Sequence, residues 1–534
     1  MITGAQAMVR CLEAEGVETI FGYPGAAILP FYEALSASNI KHVLTRTEQG
    51  AGHAANGYAR ITGKPAVCVS TSGPGATNLF TALATAYSDS IPMVAITGQV
   101  RTTQLGHDVF QEIDTTGAAE PFTKYALLLK DVSELPRAFK EAFHIASTGR
   151  PGPVLIDVPI NIQQAELNFS YPQTVQIRGY KPCFEGHPLQ IRRLASALAT
   201  AKRPLICCGG GVLLSHGACD ELRALCDEIS LPAVSTMMGL GALDNKHPLN
   251  IGMLGQAGFA CANTAIAESD LLIILGARIG DRAITQPATL GHRATIVHID
   301  IDTAEIGKNL GAEIPIVGDV AQVLSALRKL IKPGNWQDWL SRLNQLKAQE
   351  KTPAAKTTGL DPNLLLQQLN AKLPKKLIYA ADVGQNQIWS ARNFAADGRF
   401  LTSGGMGTMG YSIPAALGAA IAAPTSNVLA VCGDGSFQIS LNELATLRQH
   451  NVPLKIIVMR NNSLGMISEL YQNGISFACK LDGSPNIALI AQAYGIPHKL
   501  ITKNTEIPNT IDWLLTQTGA CIIECEISAE VKSI

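Results

Sequence analysis

The sequence predicts an α/β protein of three domains, each a parallel sheet covered by helices on both faces. Short apolar runs alternate with helix-period patterns from end to end, the rhythm of buried parallel strands joined by crossover helices. The 534 residues exceed what one core fills and, at roughly 100–200 residues per domain, make about three. Charge is sparse, 16% charged residues against 47% hydrophobic, with 48 Gly and 28 Pro, as strands buried on both faces and many tight turns require.

Taken in order, residues 4–15 read as a helix with Met8 and Leu12 on one face and Gly16 as the stop. Strands follow at 65–70 (PAVCVS), 91–96 (IPMVAI) and 153–158 (PVLIDV). The rhythm restarts at 204–208, 270–275 and 294–299, and again at 377–382, 427–432 and 454–459. Two polar, Pro-bearing stretches separate these blocks: 166–190 with Pro172, Pro182 and Pro188, and 334–362, rich in Lys, Gln and Thr, with Pro353 and Pro362. The domains are therefore expected at about 1–165, 190–335 and 360–534. The first and third blocks each carry a Thr-Ser-Gly turn ahead of an Ala-rich helix (Thr71-Ser72-Gly73 and Thr402-Ser403-Gly404), which fits an old duplication as well as ordinary turn chemistry.

A formal net charge of -1 argues against a nucleic-acid partner, and the apolar content against disorder. The charge-free run Phe400 to Gly433 is interrupted by Gly404, Gly405, Gly407, Gly410, Pro414 and Pro424, so it reads as turn, helix and buried strand, not a membrane span. No signal peptide follows Met1, and the 12 Cys form no Cys-x-x-Cys pair; reduced thiols in a cytoplasmic protein are the expectation. No zinc-spaced His pair, Gly-x-Ser-x-Gly elbow or phosphate-cradling Lys loop is present.

In the third block the strand Asn427–Cys432 ends in Gly433-Asp434-Gly435-Ser436, a helix follows with Leu441, Leu444 and Leu447, and the strand Leu454–Met459 ends at Asn461-Asn462. Neighbouring parallel strands would bring Asp434 and Asn461 to one sheet edge, where α/β ligands bind. A carboxylate, an amide carbonyl and a main-chain oxygen suit magnesium held against phosphate oxygens, and flanking glycines admit a diphosphate. The plainer reading is Asp434 as a helix cap; the pairing with Asn461 favours the metal–diphosphate reading. Glu48 falls where a strand meets a helix rich in Gly and Ala. It would either complement the helix dipole or, beside an aromatic nitrogen heterocycle, exchange a proton with it.

Together Glu48, Thr71-Ser-Gly-Pro-Gly-Ala-Thr-Asn78, Gly433-Asp434-Gly435 and Asn461 resemble the thiamine-diphosphate enzymes, and most closely the acetohydroxyacid (acetolactate) synthase catalytic subunit. The resemblance extends through Phe21-Gly-Tyr-Pro-Gly25, Phe110-Gln-Glu112, Thr123-Lys124, Gly149-Arg-Pro-Gly-Pro153, His298-Ile-Asp-Ile-Asp302 and Ser403-Gly-Gly-Met-Gly-Thr-Met-Gly410. It implies a pyrimidine-binding first domain and a diphosphate-binding third domain that meet across a homodimer or homotetramer interface. Each site would then use Glu48 of one chain and Asp434 of the other. Glu48 would hydrogen-bond the aminopyrimidine and promote its imino form, which activates the thiazolium carbon. Asp434, Asn461 and the carbonyl of Ser463 match the Mg2+ ligands, and Met409 matches the residue that keeps the cofactor bent. Pro24, Thr71, Pro74, Asn78, Gly384, Gln385, Asn386, Gly407, Gly433, Gly435, Ser436 and Met466 fall on motifs that contact thiamine diphosphate. Gly25, Ala26, Gln111, Lys124 and Leu470 match positions around the substrate. In the middle block Gly209, Gly210, Gly211, Met253, Leu254, Gly276, Arg278, Asp300, Ile301 and Asp319 match positions surrounding FAD, although a Gly run after a strand is equally a plain structural turn.

The implied reaction decarboxylates pyruvate and transfers the two-carbon unit to a second 2-keto acid, with a small regulatory subunit as an implied partner. Departures gather near the site. Ala26 stands for a Gly, Thr47 for the His before the catalytic Glu, Asn386 for the His of a Gly-Gln-His-Gln loop and Leu470 for a Trp. Gln256-Ala257 replaces Met-His, Ile279-Gly280 replaces Phe-Asp, and absence of the family's Pro-rich C-terminal lid after Ile527 is the expectation. Retained donor chemistry with an altered acceptor is the expectation, a different ketone, aldehyde or keto-sugar included. A pyruvate decarboxylase-like lyase and an inactive regulatory homologue are the other readings.

Overall fold

A computed structural model describes residues 1–284, 293–332, 334–350, 359–373, 377–394, 398–471 and 476–533. The first helix spans Gly4–Ala14. Thr3 caps it in a capping box with Gln6, Met8 and Leu12 are buried, and Gly16 takes the left-handed φ of 70° that ends it. Just before it, β1 (Ile2–Thr3) pairs antiparallel with β8 (Glu166–Leu167), tying the two ends of the first block together.

The first block's sheet is all parallel. It comprises β2 (Thr19–Gly22), β3 (Lys41–Leu44), β4 (Ala66–Ser70), β5 (Met93–Gln99), β6 (Tyr125–Leu128) and β7 (Pro153–Pro159), in the order β3-β2-β4-β5-β7-β6. Its strands feed two cores: Phe21 and Cys68 face one, Ile20, Val67 and Val69 the other, as the two-residue period of a strand demands. The middle sheet contains β9 (Pro204–Cys208), β10 (Ala233–Ser235), β11 (Asn250–Met253), β12 (Leu271–Leu275), β13 (Thr295–Asp300) and β14 (Ile314–Val317), ordered β11-β10-β9-β12-β13-β14. The third sheet contains β15 (Leu377–Ala381), β16 (Arg399–Leu401), β17 (Asn427–Gly433), β18 (Lys455–Arg460), β19 (His498–Ile501) and β20 (Cys521–Glu526), ordered β16-β15-β17-β18-β20-β19.

Counted within each block, the first and third sheets share one strand order, 2-1-3-4-6-5. That common topology supports the duplication reading of the two Thr-Ser-Gly turns. The middle sheet runs 3-2-1-4-5-6, the order of dinucleotide-binding folds, with its switch point between β9 and β12.

The first and third blocks also share a core within one chain. The helices Glu48–Thr62 and Ser412–Ala422 cross so closely that a Cβ on Gly57 would lie 1.9 Å from the Ala415 carbonyl oxygen, and one on Gly418 1.8 Å from that of Ala54. Small residues in both helices are thus a condition of backbone contact.

The stretch 334–362 differs from its reading as a separator. Residues Gln337–Gln349 form a helix whose Trp339, Leu343 and Leu346 enter the middle core, with Trp336 beside them. Their i, i+4, i+7 spacing makes a narrow apolar stripe inside a charged sequence, so composition hid it. Pro353 lies outside the described residues. Likewise Pro188 is the first residue of the helix Pro188–Thr200, and Tyr171, Ile177 and Tyr180 of the stretch before it pack on the first block's core.

Candidate active site

In each block some of the expected residues lie at the carboxyl ends of the two strands that flank the topological switch. In the first block these strands are β2 and β4. The turn after β2 brings Gly25 against Thr71, at the end of β4, so that a Cβ on Gly25 would lie 2.5 Å from the Thr71 side chain; Ala27 N donates to Thr71 Oγ1 (3.2 Å). Glu48 is the first residue of its helix, behind the cap Thr47, whose Oγ1 accepts from Gly50 N (2.9 Å). Its Oε2 accepts from Asn78 Nδ2 (3.1 Å), while Oε1 faces Gly75, where a Cβ would stand 3.4 Å away. Gln111 has a φ of 61° and lies over Gly73. Glu48, Gly25, Thr71, Pro74, Asn78 and Gln111 therefore form one constellation, with Ala26 exposed on its rim beside Pro24.

In the third block the switch lies between β15 and β17, and β18 joins on the other side. Gly433 pairs with Met459, so Asp434 and Asn461 follow the ends of adjacent strands. Asp434 is buried; Oδ1 accepts from Gly435 N (3.1 Å) and Oδ2 from Asn462 N (2.7 Å). Burial pushes its carboxyl above the ordinary carboxylate range, and those N–H groups pull it back. Asn462 makes its contact at a φ of 53°, a conformation Asn tolerates better than most residues. Asn461 donates to Gln385 Oε1 (2.8 Å) and accepts from Ser463 N (3.0 Å). The Met409 methyl would lie 3.4 Å from a Cβ on Gly435, and Ser436 Oγ donates to the Val383 carbonyl (3.4 Å). Gly384 takes a φ of 138°, open to a glycine alone, and Gly407 one of 71°.

These residues fit a metal–diphosphate group. One carboxylate and one amide carbonyl converge beside two glycine turns, and no group of three His, Cys, Asp or Glu side chains competes for a metal among the described residues. The short helix Gly465–Leu470 carries Met466 and the exposed Leu470; a Cβ on Gly465 would collide with Gln385 Oε1 at 1.9 Å. Gln385 also donates to Glu469 (2.7 Å) and to the Val531 carbonyl (2.9 Å), and Glu469 accepts from Ser533 N (2.7 Å).

Two of the expected site residues have their donors engaged within the chain. Asn386 Nδ2 donates to the carbonyls of Asp382 (2.8 Å) and Val431 (3.3 Å), leaving Oδ1 beside Gly384 and Gly433. Lys124 is held by the first block's own groups. Its ammonium donates to the carbonyl of Ile145, that of Thr148 (2.7 Å) and Tyr180 Oη (3.1 Å), and burial lowers it to about 8. The carbonyls that end the helix Leu135–Ser147 capture it.

In the middle block, Gly209 and Gly211 follow β9 and Gly276 follows β12, on either side of the switch. A Cβ on Gly209 would meet the Gly276 oxygen at 2.2 Å, and one on Gly211 the Gly276 Cα at 2.7 Å, so packing alone demands three of these glycines; Gly210 has ordinary room. Met253 and Leu254 are buried. Asp319 caps the helix Val320–Arg328. Asp300 accepts from Asp302 N (2.9 Å), burial raises it to about 6, and Ile301 follows it. Arg278 is exposed, its guanidinium beside Gly405 of the third block.

Three carboxylates are not evident from the sequence. Asp382 is fully buried and accepts from Val383 N, Gly410 N (3.0 Å) and Ser412 N (2.8 Å), fixing the turn that carries Met409. Asp89 accepts from Gly404 N and Gly405 N (2.8 Å) and pairs with Arg60 (2.7 Å). Glu443 accepts from Arg46 N and Thr47 N, next to Glu48. Apart from Val383 N and the Arg60 guanidinium, these partners are backbone groups distant in sequence, which no local pattern signals.

Three family models match the chain: the thiamine pyrophosphate enzyme N-terminal TPP binding domain over residues 2–118, the central domain over 191–327, and the C-terminal TPP binding domain over 382–525. A probable acetolactate synthase large subunit of Methanocaldococcus jannaschii is 45% identical over 523 residues, covering 94% of this chain and 88% of its own. An acetolactate synthase of Arthrospira platensis is 42% identical, covering 99% and 95%. The acetolactate synthase large subunit of Corynebacterium glutamicum is 42% identical, covering 95% and 83%. Among the described residues no helix is long and apolar enough to cross a membrane.

Proposed function

The chain belongs to the thiamine pyrophosphate enzymes, and from that membership we propose that it is a carboligase of the acetolactate synthase type. It decarboxylates pyruvate and transfers the two-carbon unit to a second 2-keto acid. The observation that carries the proposal is the matched pair of switch-point constellations, Glu48 with Thr71 and Asn78 on one sheet, Asp434 with Asn461 on its topological twin.

Thiamine diphosphate, when bound, supplies the carbon nucleophile and the electron sink. Asp434, Asn461 and the Ser463 carbonyl would hold Mg2+. Gly384 and Gly433 leave room for phosphate oxygens. Asn78 keeps one Glu48 oxygen engaged, so Oε1, facing the space that Gly75 leaves open, is the atom that holds and releases a proton.

No hydrogen bond or salt bridge joins the Glu48 and Asp434 constellations among the described residues. Phe110 (85% exposed), Leu470 (63%) and Phe477 (78%) leave apolar surface open. Both facts support a homodimer in which Glu48 of one chain meets Asp434 of the other. The relatives' name, large subunit, supports a smaller regulatory partner as well.

FAD in the middle block belongs to the same proposal. The glycine packing removes one argument for it; the 3-2-1-4-5-6 strand order and the exposed Arg278 support it. A yellow protein with a flavin spectrum is the expected result, and a colourless one that turns over fully without flavin contradicts it.

A second reading, a different acceptor, is favoured by the Ala26 methyl and by Leu470, both exposed at the site's rim. Differences of this size move discrimination by ~1–3 kcal/mol. Competing pyruvate against other ketones and aldehydes in one assay decides it: acetolactate as the main product supports the first reading, another condensation product the second.

A further inference from the structure

We propose that Glu443 is the positioning residue for Glu48, clamping the start of its helix from the third block of the same chain. The proposal rests on the reading of Glu48 as the cofactor's proton partner.

Glu443 begins the helix Glu443–Gln449 and is buried to 1% exposure. Its Oε1 accepts from Arg46 N (2.9 Å) and Thr47 N (3.2 Å), the two residues before Glu48. Its Oε2 accepts from Thr446 Oγ1 (2.7 Å), which orients the carboxylate. Gln449 Oε1 accepts from Arg46 Nη2 (2.7 Å), and Thr446 Oγ1 also reaches the Leu44 carbonyl (3.3 Å). Residues 443, 446 and 449 share one helix face, and all three engage the segment Leu44–Thr47.

This clamp holds the backbone that must turn from strand to helix. Thr47 stays extended (φ −145°, ψ 157°), as a cap must, while the Arg46 and Thr47 N–H groups point outward to the carboxylate. A buried acceptor serving two part-buried N–H groups is costly to lose, because both donors then lose their partner. The clamp also accounts for Gly50, where a Cβ would stand 2.3 Å from Glu443 Oε1. Glu443 lies nine residues after Asp434, on the next helical segment. Where Glu48 serves the partner chain's cofactor, the clamp therefore links the metal-binding end of one site to the proton-handling residue of the other.

The test compares Glu443→Ala and Glu443→Gln in the full-length holoenzyme. In Glu443→Ala the expected results are a kcat lower by about tenfold to a hundredfold, an unchanged KM for pyruvate, and faster hydrogen–deuterium exchange at the amides of residues 46–50. Glu443→Gln keeps an acceptor oxygen for both N–H groups and restores kcat and protection. Wild-type kcat in Glu443→Ala overturns the proposal, as does a Glu443→Gln as slow as the alanine variant with its amides still protected. Where Glu443→Ala does not fold, Thr446→Val serves: a smaller loss with the same exchange pattern supports the clamp, and wild-type values overturn it. A wild-type protein inactive on pyruvate overturns the proposed function instead, and the exchange comparison then decides the clamp by itself.

Discussion

Glu48→Gln isolates the proton-handling atom, because Gln keeps the contact with Asn78 and the shape of the side chain but cannot give or take the proton. The expected loss is about 10²–10⁴-fold in kcat, measured in steady state, with thiamine diphosphate still bound. Asp434→Ala should instead weaken binding. Its two N–H donors lose their acceptor and the oxygen set loses its only charge, so Mg2+-dependent cofactor retention should fall at least tenfold in a titration of the apoprotein. His53 tests burial. It is fully enclosed, its Nδ1 has no partner among the described residues, and burial lowers it to about 3 from 6.5. The unfolded chain takes up a proton as pH falls through about 6.5 and the folded chain does not, so this contribution to stability is complete above that pH and is lost toward pH 3. His53→Asn should reduce the slope of unfolding free energy against pH by about one proton, ~1.4 kcal/mol per unit, between pH 6 and 4 in denaturant titrations. Legibility at this scale followed chemistry. Glu48, Asp434 and Asn461 stood out because side chains at fixed spacing carry them; Asp382, Asp89 and Glu443 did not, because each holds backbone N–H groups that the fold brings in from another element.

Every strand given bounds from the sequence lies inside a sheet: β4, β5 and β7, β9, β12 and β13, β15, β17 and β18. Burial on both faces makes such strands continuous apolar runs, the one strand pattern that needs no context. The edge strand β3 was read only as the strand before Glu48, without bounds, and the edge strands β6, β11, β14, β16 and β19 escaped, because one side meets solvent or the strand is short; Lys41–Leu44 and Tyr125–Leu128 carry exposed positions. The interior strands β2, β10 and β20 escaped as well, β10 being three residues long and β20 mixing Glu524 into its run. The crossing of the helices Glu48–Thr62 and Ser412–Ala422 makes its own prediction. Gly57→Ala or Gly418→Ala adds a methyl where a carbonyl oxygen already stands, so each should destabilise the folded protein by at least ~1–3 kcal/mol, read as a lower denaturation midpoint. Gly280, with open space at its Cβ, is the control expected to tolerate alanine.

At the scale of the molecule, two topologically equal sheets hold the two constellations of the proposed site and a third, differently wound sheet stands between them in sequence. The charge-free run Phe400–Gly433 becomes intelligible here: it forms β16, the Met409 turn, the helix that packs on the first block, and β17 up to Asp434. Sedimentation of the intact protein should give about twice the chain mass or a multiple of it; a monomer that turns over at full rate would contradict a site shared between chains. The account stands most directly on one product measurement, made with pyruvate as the sole organic substrate in the presence of thiamine diphosphate and Mg2+. It predicts one acetolactate and one carbon dioxide for every two pyruvates consumed, abolished by Glu48→Gln, whereas pyruvate consumed without acetolactate would contradict it.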